Sequence, residues 1–227
     1  MFIALVSTLG NQFNNQTPQT LNTDWLAWEK RHSYSLLKPK GFSIIPSIAF
    51  KGENGHQYLI NSGIQISNND HISFDEIILE KAIMVFDQNG TQINSCIYAQ
   101  LINQLSALQA QHNRDFLHLH IDIDGIFICA FKNSKLQLAN LFTFKAKEDI
   151  LYYLAATANS FGLSVDNDLV TYSGYLRPKS SLKKLLGEYI GQLKPLTIGA
   201  GIQFDTAINP IHQFYYADVF ILPLCAL

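Results

Sequence analysis

Leu117-His118-Leu119-His120-Ile121-Asp122-Ile123-Asp124-Gly125-Ile126-Phe127-Ile128-Cys129-Ala130-Phe131 is the stretch whose reading decides the fold. Its odd positions Leu117, Leu119, Ile121 and Ile123 are aliphatic, while His118, His120 and Asp122 between them are polar. Period-2 alternation predicts a strand with one buried face, and it places the two histidines and Asp122 together on the wet face. Asp124-Gly125 follows, a pair favoured in tight hairpins whose central residues need positive φ. Residues 126–131 then return as a second strand, apolar on both faces. Asn133-Ser134 turns the chain into a third strand, Leu136 to Phe144.

Downstream, the period changes. Ile150, Leu154, Ala158 and Phe161 fall on one helical stripe, which Gly162 closes. Leu169 to Tyr172 reads as a strand ending at Ser173-Gly174. Ser180 or Ser181 caps a helix whose apolar face is Leu182, Leu185, Leu186, Tyr189 and Ile190. Thr197 to Phe204, with Gly199 and Gly201, reads as a last strand, and Pro210 opens a terminal helix running into Phe220. Three hairpin-linked strands followed by helix, strand, helix, strand and helix is an α/β (α+β) order, a mixed sheet flanked by helices.

Upstream, strands are expected at Phe2 to Ser7, Phe42 to Ile45, Glu76 to Leu79 and Ala82 to Phe86. Helices are expected from Asn22 to Arg31 and along the stripe Ile97, Leu101, Leu105 and Leu108. The same kind of order recurs, so the chain divides into two comparable halves, 1–112 and 113–227.

The 227 residues are 48% hydrophobic and 15% charged, enough to bury a sizeable core and to exclude disorder. A formal net charge of -2 argues against binding nucleic acid or an acidic membrane by bulk charge. No apolar run approaches the roughly 20 residues of a membrane helix. The opening Met1-Phe2-Ile3-Ala4-Leu5-Val6 reads as a first strand and not as a secretion signal. Cys96, Cys129 and Cys225 sit far apart among apolar neighbours; they read as buried free thiols, consistent with a reducing cytoplasm.

Phe42-Ser43-Ile44-Ile45-Pro46 with Tyr58-Leu59 resembles a bacterial family catalogued as domain of unknown function 3822. So do Asn140-Leu141-Phe142-Thr143-Phe144 with Glu148-Asp149-Ile150-Leu151-Tyr152-Tyr153, and the segment His212 to Cys225. The resemblance implies an actin-like ATPase fold, two ribonuclease H-like halves around a cleft, with no assigned activity.

Such a fold holds nucleotide between two Asp-x-Gly hairpins and a Gly-rich strand-to-helix turn. The glycines let backbone N–H groups approach phosphate, and the acid holds Mg²⁺ or orients water. Ser7, Thr8 and Gly10 occupy the first hairpin, which lacks the Asp. Asp122, Asp124 and Gly125 occupy the second, where Asp124 stands in place of the motif's Gly. A second carboxylate there repels phosphate unless a divalent ion bridges the two. Ser173 and Gly174 occupy the third, with Ser173 replacing the first of two glycines.

Arg177, Lys179, Lys183 and Lys184 follow the third turn, where they would attract an anion or form a solvated basic face. His118, His120 and Asp122 on one strand face have the chemistry of a metal site, although alternating histidines more often mark a wet face. No Gly-x-Ser-x-Gly elbow, Walker loop or dinucleotide fingerprint is present.

The resulting expectation is a non-catalytic cytoplasmic scaffold or partner-binding module with degenerate phosphate turns, no resident cofactor and a protein partner. The alternatives are an ATP- and Mg²⁺-dependent ATPase or kinase and, third, a metal-dependent ribonuclease H-like nuclease using Asp122.

Overall fold

The computed structural model describes residues 36–67, 70–88, 90, 95–123, 125–197, 210–217 and 221. The first part of the chain gives β1 (Leu36–Leu37), β2 (Phe42–Pro46), α1 (Gly55–Asn61), β3 (Ile72–Ile77), β4 (Ala82–Asp87), β5 (Ser95–Cys96) and α2 (Ile97–His112). The second part gives β6 (Phe116–Ile121), β7 (Ile126–Lys132), β8 (Lys135–Phe142), α3 (Lys147–Ser160), β9 (Leu169–Gly174), α4 (Ser181–Tyr189), β10 (Gln192–Pro195) and α5 (Pro210–Tyr215).

The large sheet has the order β10-β9-β6-β7-β8. Its three hairpin-linked strands are antiparallel, whereas β9 and β10 run parallel to β6. A parallel neighbour cannot be reached through a tight turn, so α3 and α4 make the two crossovers. Asn133 and Ser134 both adopt positive φ, 52° and 60°, which suits the two-residue turn between β7 and β8. Ser180 caps α4 by accepting the Lys183 N–H at 3.1 Å, and Gly162 follows α3 at φ 62°.

The two faces of the sheet belong to different cores. Leu117, Leu119 and Ile121 pack with Ile150, Leu154 and Ala158 of α3 and Leu186 of α4. Phe116, Phe127, Cys129 and Phe131 pack on the opposite side with Ile97, Leu101 and Leu105 of α2 and with Met84 and Phe86 of β4. Tyr98 stacks on Phe127 at 4.7 Å, and Phe42 meets the same ring edge-on at 5.9 Å. The smaller sheet, β2-β4-β3, is antiparallel, and β1 pairs parallel to β5.

Several expectations are corrected. β6 has no wet face: all six of its residues are buried, with His118 0% and His120 2% exposed. Alternation reported polarity correctly, but the second core covers the polar side. The strand end lies at Ile121, leaving Ile123 74% exposed in the turn. Gly125 does not adopt positive φ; it is needed because a Cβ there would come within 2.9 Å of the Phe142 carbonyl oxygen. The expected strand Glu76 to Leu79 is Ile72–Ile77, and Ile78 and Leu79 belong to the turn that follows it.

β8 stops at Phe142, two residues before the expected Phe144. Tyr189 is 55% exposed and does not belong to the apolar face of α4. The strand after α4 is β10, earlier than the expected Thr197 to Phe204, of which 198–204 lie outside the described residues. Phe2 to Ser7, Asn22 to Arg31, Phe220 and Cys225 also lie outside them. Cys96 and Cys129 are buried free thiols, as expected.

Candidate functional site

Parallel β6 and β9 end side by side, with Ile121 in register with Gly174. Loops at the carboxyl ends of such strands are where open α/β sheets bind ligands. Two of the three expected turns therefore meet at one place. The Tyr175 N–H donates to the Ile121 carbonyl at 2.8 Å, drawing the chain tightly across the end of β6. Gly174 permits this crossing with φ 83°; a Cβ there would lie 2.1 Å from the Ile121 oxygen.

Asp122 opens the β6–β7 turn, where its N–H donates to the Gly125 carbonyl at 2.9 Å. Its carboxylate is already engaged. Oδ1 accepts the Ile123 N–H at 2.8 Å, and Oδ2 lies 2.7 Å from the Lys38 ammonium. Burial pushes the Asp122 pKa up, but the hydrogen bonds from Lys38 and Ile123 and the charges of Lys38 and His120 outweigh it. The net effect is a carboxyl held below its ordinary value.

Below the turn, β6 and β9 share a buried polar chain. Register places His118 beside Thr171 and His120 beside Ser173. His118 Nδ1 lies 2.9 Å from Thr171 Oγ1, and His118 Nε2 lies 3.0 Å from Ser173 Oγ. His120 Nδ1 lies 2.8 Å from the same Ser173 oxygen. Thr171 donates to the Leu117 carbonyl at 3.3 Å, and this sets the direction of the chain. His118 Nδ1–H then donates to Thr171, Ser173 donates to His118 Nε2, and His120 Nδ1–H donates to Ser173. Both ring nitrogens of His118 are consumed, so neither is left for a metal. Burial, and secondarily the charge of His120, push its pKa well below the ordinary histidine value and keep it neutral.

No group of three or more His, Cys, Asp or Glu among the described residues is placed to hold a metal ion. Of the basic residues, Lys183 lies over the Tyr172 ring at 4.3 Å, a cation–π contact, and burial lowers its pKa. Arg177 and Lys179 are exposed. Ser7, Thr8, Gly10 and Asp124 lie outside the described residues. Sequence reasoning missed Lys38, which carries no motif, and Thr171, which the β6–β9 register alone brings to His118.

The family-like blocks have structural roles here. Asn140 Oδ1 accepts the Leu141 N–H at 2.9 Å, and Asp149 accepts the Ala146 N–H at 3.0 Å at the start of α3. Tyr153 stacks on Phe142 at 4.7 Å.

A family model described as protein of unknown function (DUF3822) matches residues 34–193. Among solved structures, the chain is similar to a Bacteroides thetaiotaomicron protein with actin-like ATPase fold and unknown function. Identity is 21%, the match covers 80% of this chain and 79% of that one, and the TM-score is 0.61. It is also similar to a chain of the PilM-PilN type IV pilus biogenesis complex, at 14% identity over 81% of this chain and 75% of that one, with a TM-score of 0.53. These likenesses establish an actin-like ATPase fold and nothing finer. No curated protein matches the chain. No described helix is long and apolar enough to cross a membrane.

Proposed function

The chain belongs to the family of proteins of unknown function DUF3822, and from that premise we propose that it is a partner-binding scaffold of actin-like fold, working in the cytoplasm without turning over nucleotide. One observation carries the reading: the carboxylate that would hold Mg²⁺ is paired with Lys38 at 2.7 Å and also accepts a backbone N–H. An ammonium seated on that oxygen occupies the position of a divalent ion and cancels the charge that would attract one. His118 beneath it has both ring nitrogens engaged, by Thr171 and Ser173, and offers no free base or ligand. The similarity to a chain of the PilM-PilN complex supports a protein partner for a chain of this fold.

Two halves, 1–112 and 113–227, joined beyond α2, would form the body of the scaffold. The competing reading is an ATPase or kinase that uses Asp122 and the Gly174 turn once Lys38 is displaced. Isothermal titration with ATP and Mg²⁺ separates the two. The scaffold reading expects no heat at ATP concentrations up to about 1 mM, for wild type and Asp122→Ala alike. Micromolar binding that Asp122→Ala abolishes would overturn it.

A further inference from the structure

We infer that the cleft between β2 and β8 is a docking groove in which an extended, acidic segment of a protein partner adds a strand to the open edge of β8. This deepens the scaffold reading and rests on it. Among the described residues, β8 is an edge of the five-stranded sheet and β2 is an edge of the three-stranded sheet. The two edges face each other across a cleft of about 610 Å³, lined by residues 40–44 on one wall and 136–141 on the other. A strand edge is a row of backbone donors and acceptors, and an extended peptide is the occupant that satisfies such a row.

The walls are the unfinished flank of a core. Phe42, Ile44, Leu136, Ala139 and Leu141 pack against the cluster built on α2 and β7, yet each is only partly buried. Leu136 shares this side with Ala139 and Leu141 despite its different parity, because the β7–β8 register shifts at Ala130/Phe131. An incoming strand with alternating apolar side chains would complete their burial.

The edge is also guarded. The Leu136 N–H donates to Glu80 Oε2 at 3.0 Å, and the Leu141 N–H donates to Asn140 Oδ1 at 2.9 Å. Side-chain acceptors of this kind cover outward N–H groups and hold off indiscriminate strand pairing. Alternation turns the N–H and C=O of Ala139 outward like those of Leu141, in the middle of the cleft. Of the residues that line the cleft, Lys40 alone is ionisable, and it makes no ion pair among the described residues; the Glu80 carboxylate at the Leu136 end of the edge is engaged by that N–H and by the Ser106 hydroxyl. A carboxylate on the incoming segment would complement it, and one cation is too little for a nucleic acid or a nucleotide phosphate chain.

The test selects a phage-displayed random-peptide library on the full chain and measures the enriched sequences, synthesised with a fluorescent label, by anisotropy. The expected peptides alternate apolar residues and carry Asp or Glu. Ala139→Pro removes an outward donor that an edge strand can spare, and it should weaken binding at least about tenfold. Lys40→Glu, on an exposed side chain, should weaken binding similarly while leaving the thermal transition unchanged, so the test survives if Ala139→Pro fails to fold.

The proposal is overturned if no sequence is enriched, if the enriched peptides bind Lys40→Glu as tightly as wild type, or if gel filtration shows a second copy on this edge. A peptide unaffected by either variant sinks this groove and leaves the scaffold reading standing. Micromolar ATP binding lost in Asp122→Ala sinks the scaffold reading itself.

Discussion

Lys38 reaches from the loop after β1 to place its ammonium 2.7 Å from the carboxylate of Asp122, at the turn that ends β6. The contact joins the first part of the chain to the carboxyl ends of β6 and β9 in the large sheet. It also helps to hold the acid of this motif-like turn in its charged form.

Lys38→Met should cost about 0.5–1 kcal/mol at pH 7, the range for a partly exposed ion pair. Asp122 titrates below its unfolded-state value, so its contribution is full above roughly pH 4 and is lost as pH falls through the lower folded value. Urea unfolding of wild type and variant should therefore show a gap at pH 7 that closes as the pH falls below the ordinary carboxylate range. A gap independent of pH would contradict the pairing.

His118 follows the same rule in a higher pH window. Its folded pKa lies well below the ordinary value, first because it is buried and second because of His120. The unfolded chain binds the proton first, so stability is intact above about pH 6.5 and falls below it, by up to roughly 1.4 kcal/mol per pH unit. His118→Gln should remove this component of the slope between pH 6.5 and 5. An unchanged slope would place the titrating group elsewhere.

Ser173→Ala removes the hydroxyl shared by the two histidines. Each ring nitrogen left without a partner should cost about 1–3 kcal/mol, visible as a lower urea midpoint with an unchanged m-value. Ser180→Ala, a partly buried cap of α4, provides the scale and should cost about 1 kcal/mol.

Gly174 and Gly187 should respond with opposite signs. Alanine at 174 meets the Ile121 oxygen and needs a φ of 83°, so a loss of more than about 3 kcal/mol is expected. Alanine at 187, inside exposed α4 with nothing within 4 Å of its Cβ, should gain about 0.5–1 kcal/mol. Thermal melts of the two variants check both.

The thiols give a chemical check on burial. The Cys96 pKa is pushed up to about 12, mainly by burial, and that of Cys129 is raised for the same reason. Iodoacetamide at pH 8 should leave both unmodified in the native protein and label both in urea, as read by peptide mass spectrometry. Labelling of the native protein at Cys96 would show that α2 opens at its start.

The sequence by itself determined the elements of the second half, because their signals are local. Asn133 and Ser134 supply the positive φ of a hairpin, Ser180 caps α4, and the stripe Ile150, Leu154 and Ala158 needs one apolar wall. Each rests on residues a few positions apart, where backbone geometry dictates the outcome. β10 was misplaced because Gln192-Leu193-Lys194-Pro195 has neither alternation nor β-branched residues; pairing with β9 makes it a strand.

Only the tertiary structure decided the site. Period-2 alternation marks His118 and His120 as polar, but whether that face meets water depends on a second layer contributed by α2 and β4. Once covered, the histidines must find partners, and they find Thr171 and Ser173, fifty-three residues away from their sequence positions. Lys38 has no signature that ties it to Asp122, and the cleft at β2 and β8 lies where two sheets meet at strands that are edges among the described residues. A periodic pattern states what a side chain is. What it faces is set by long-range packing, and that is where the chemistry of this protein was settled.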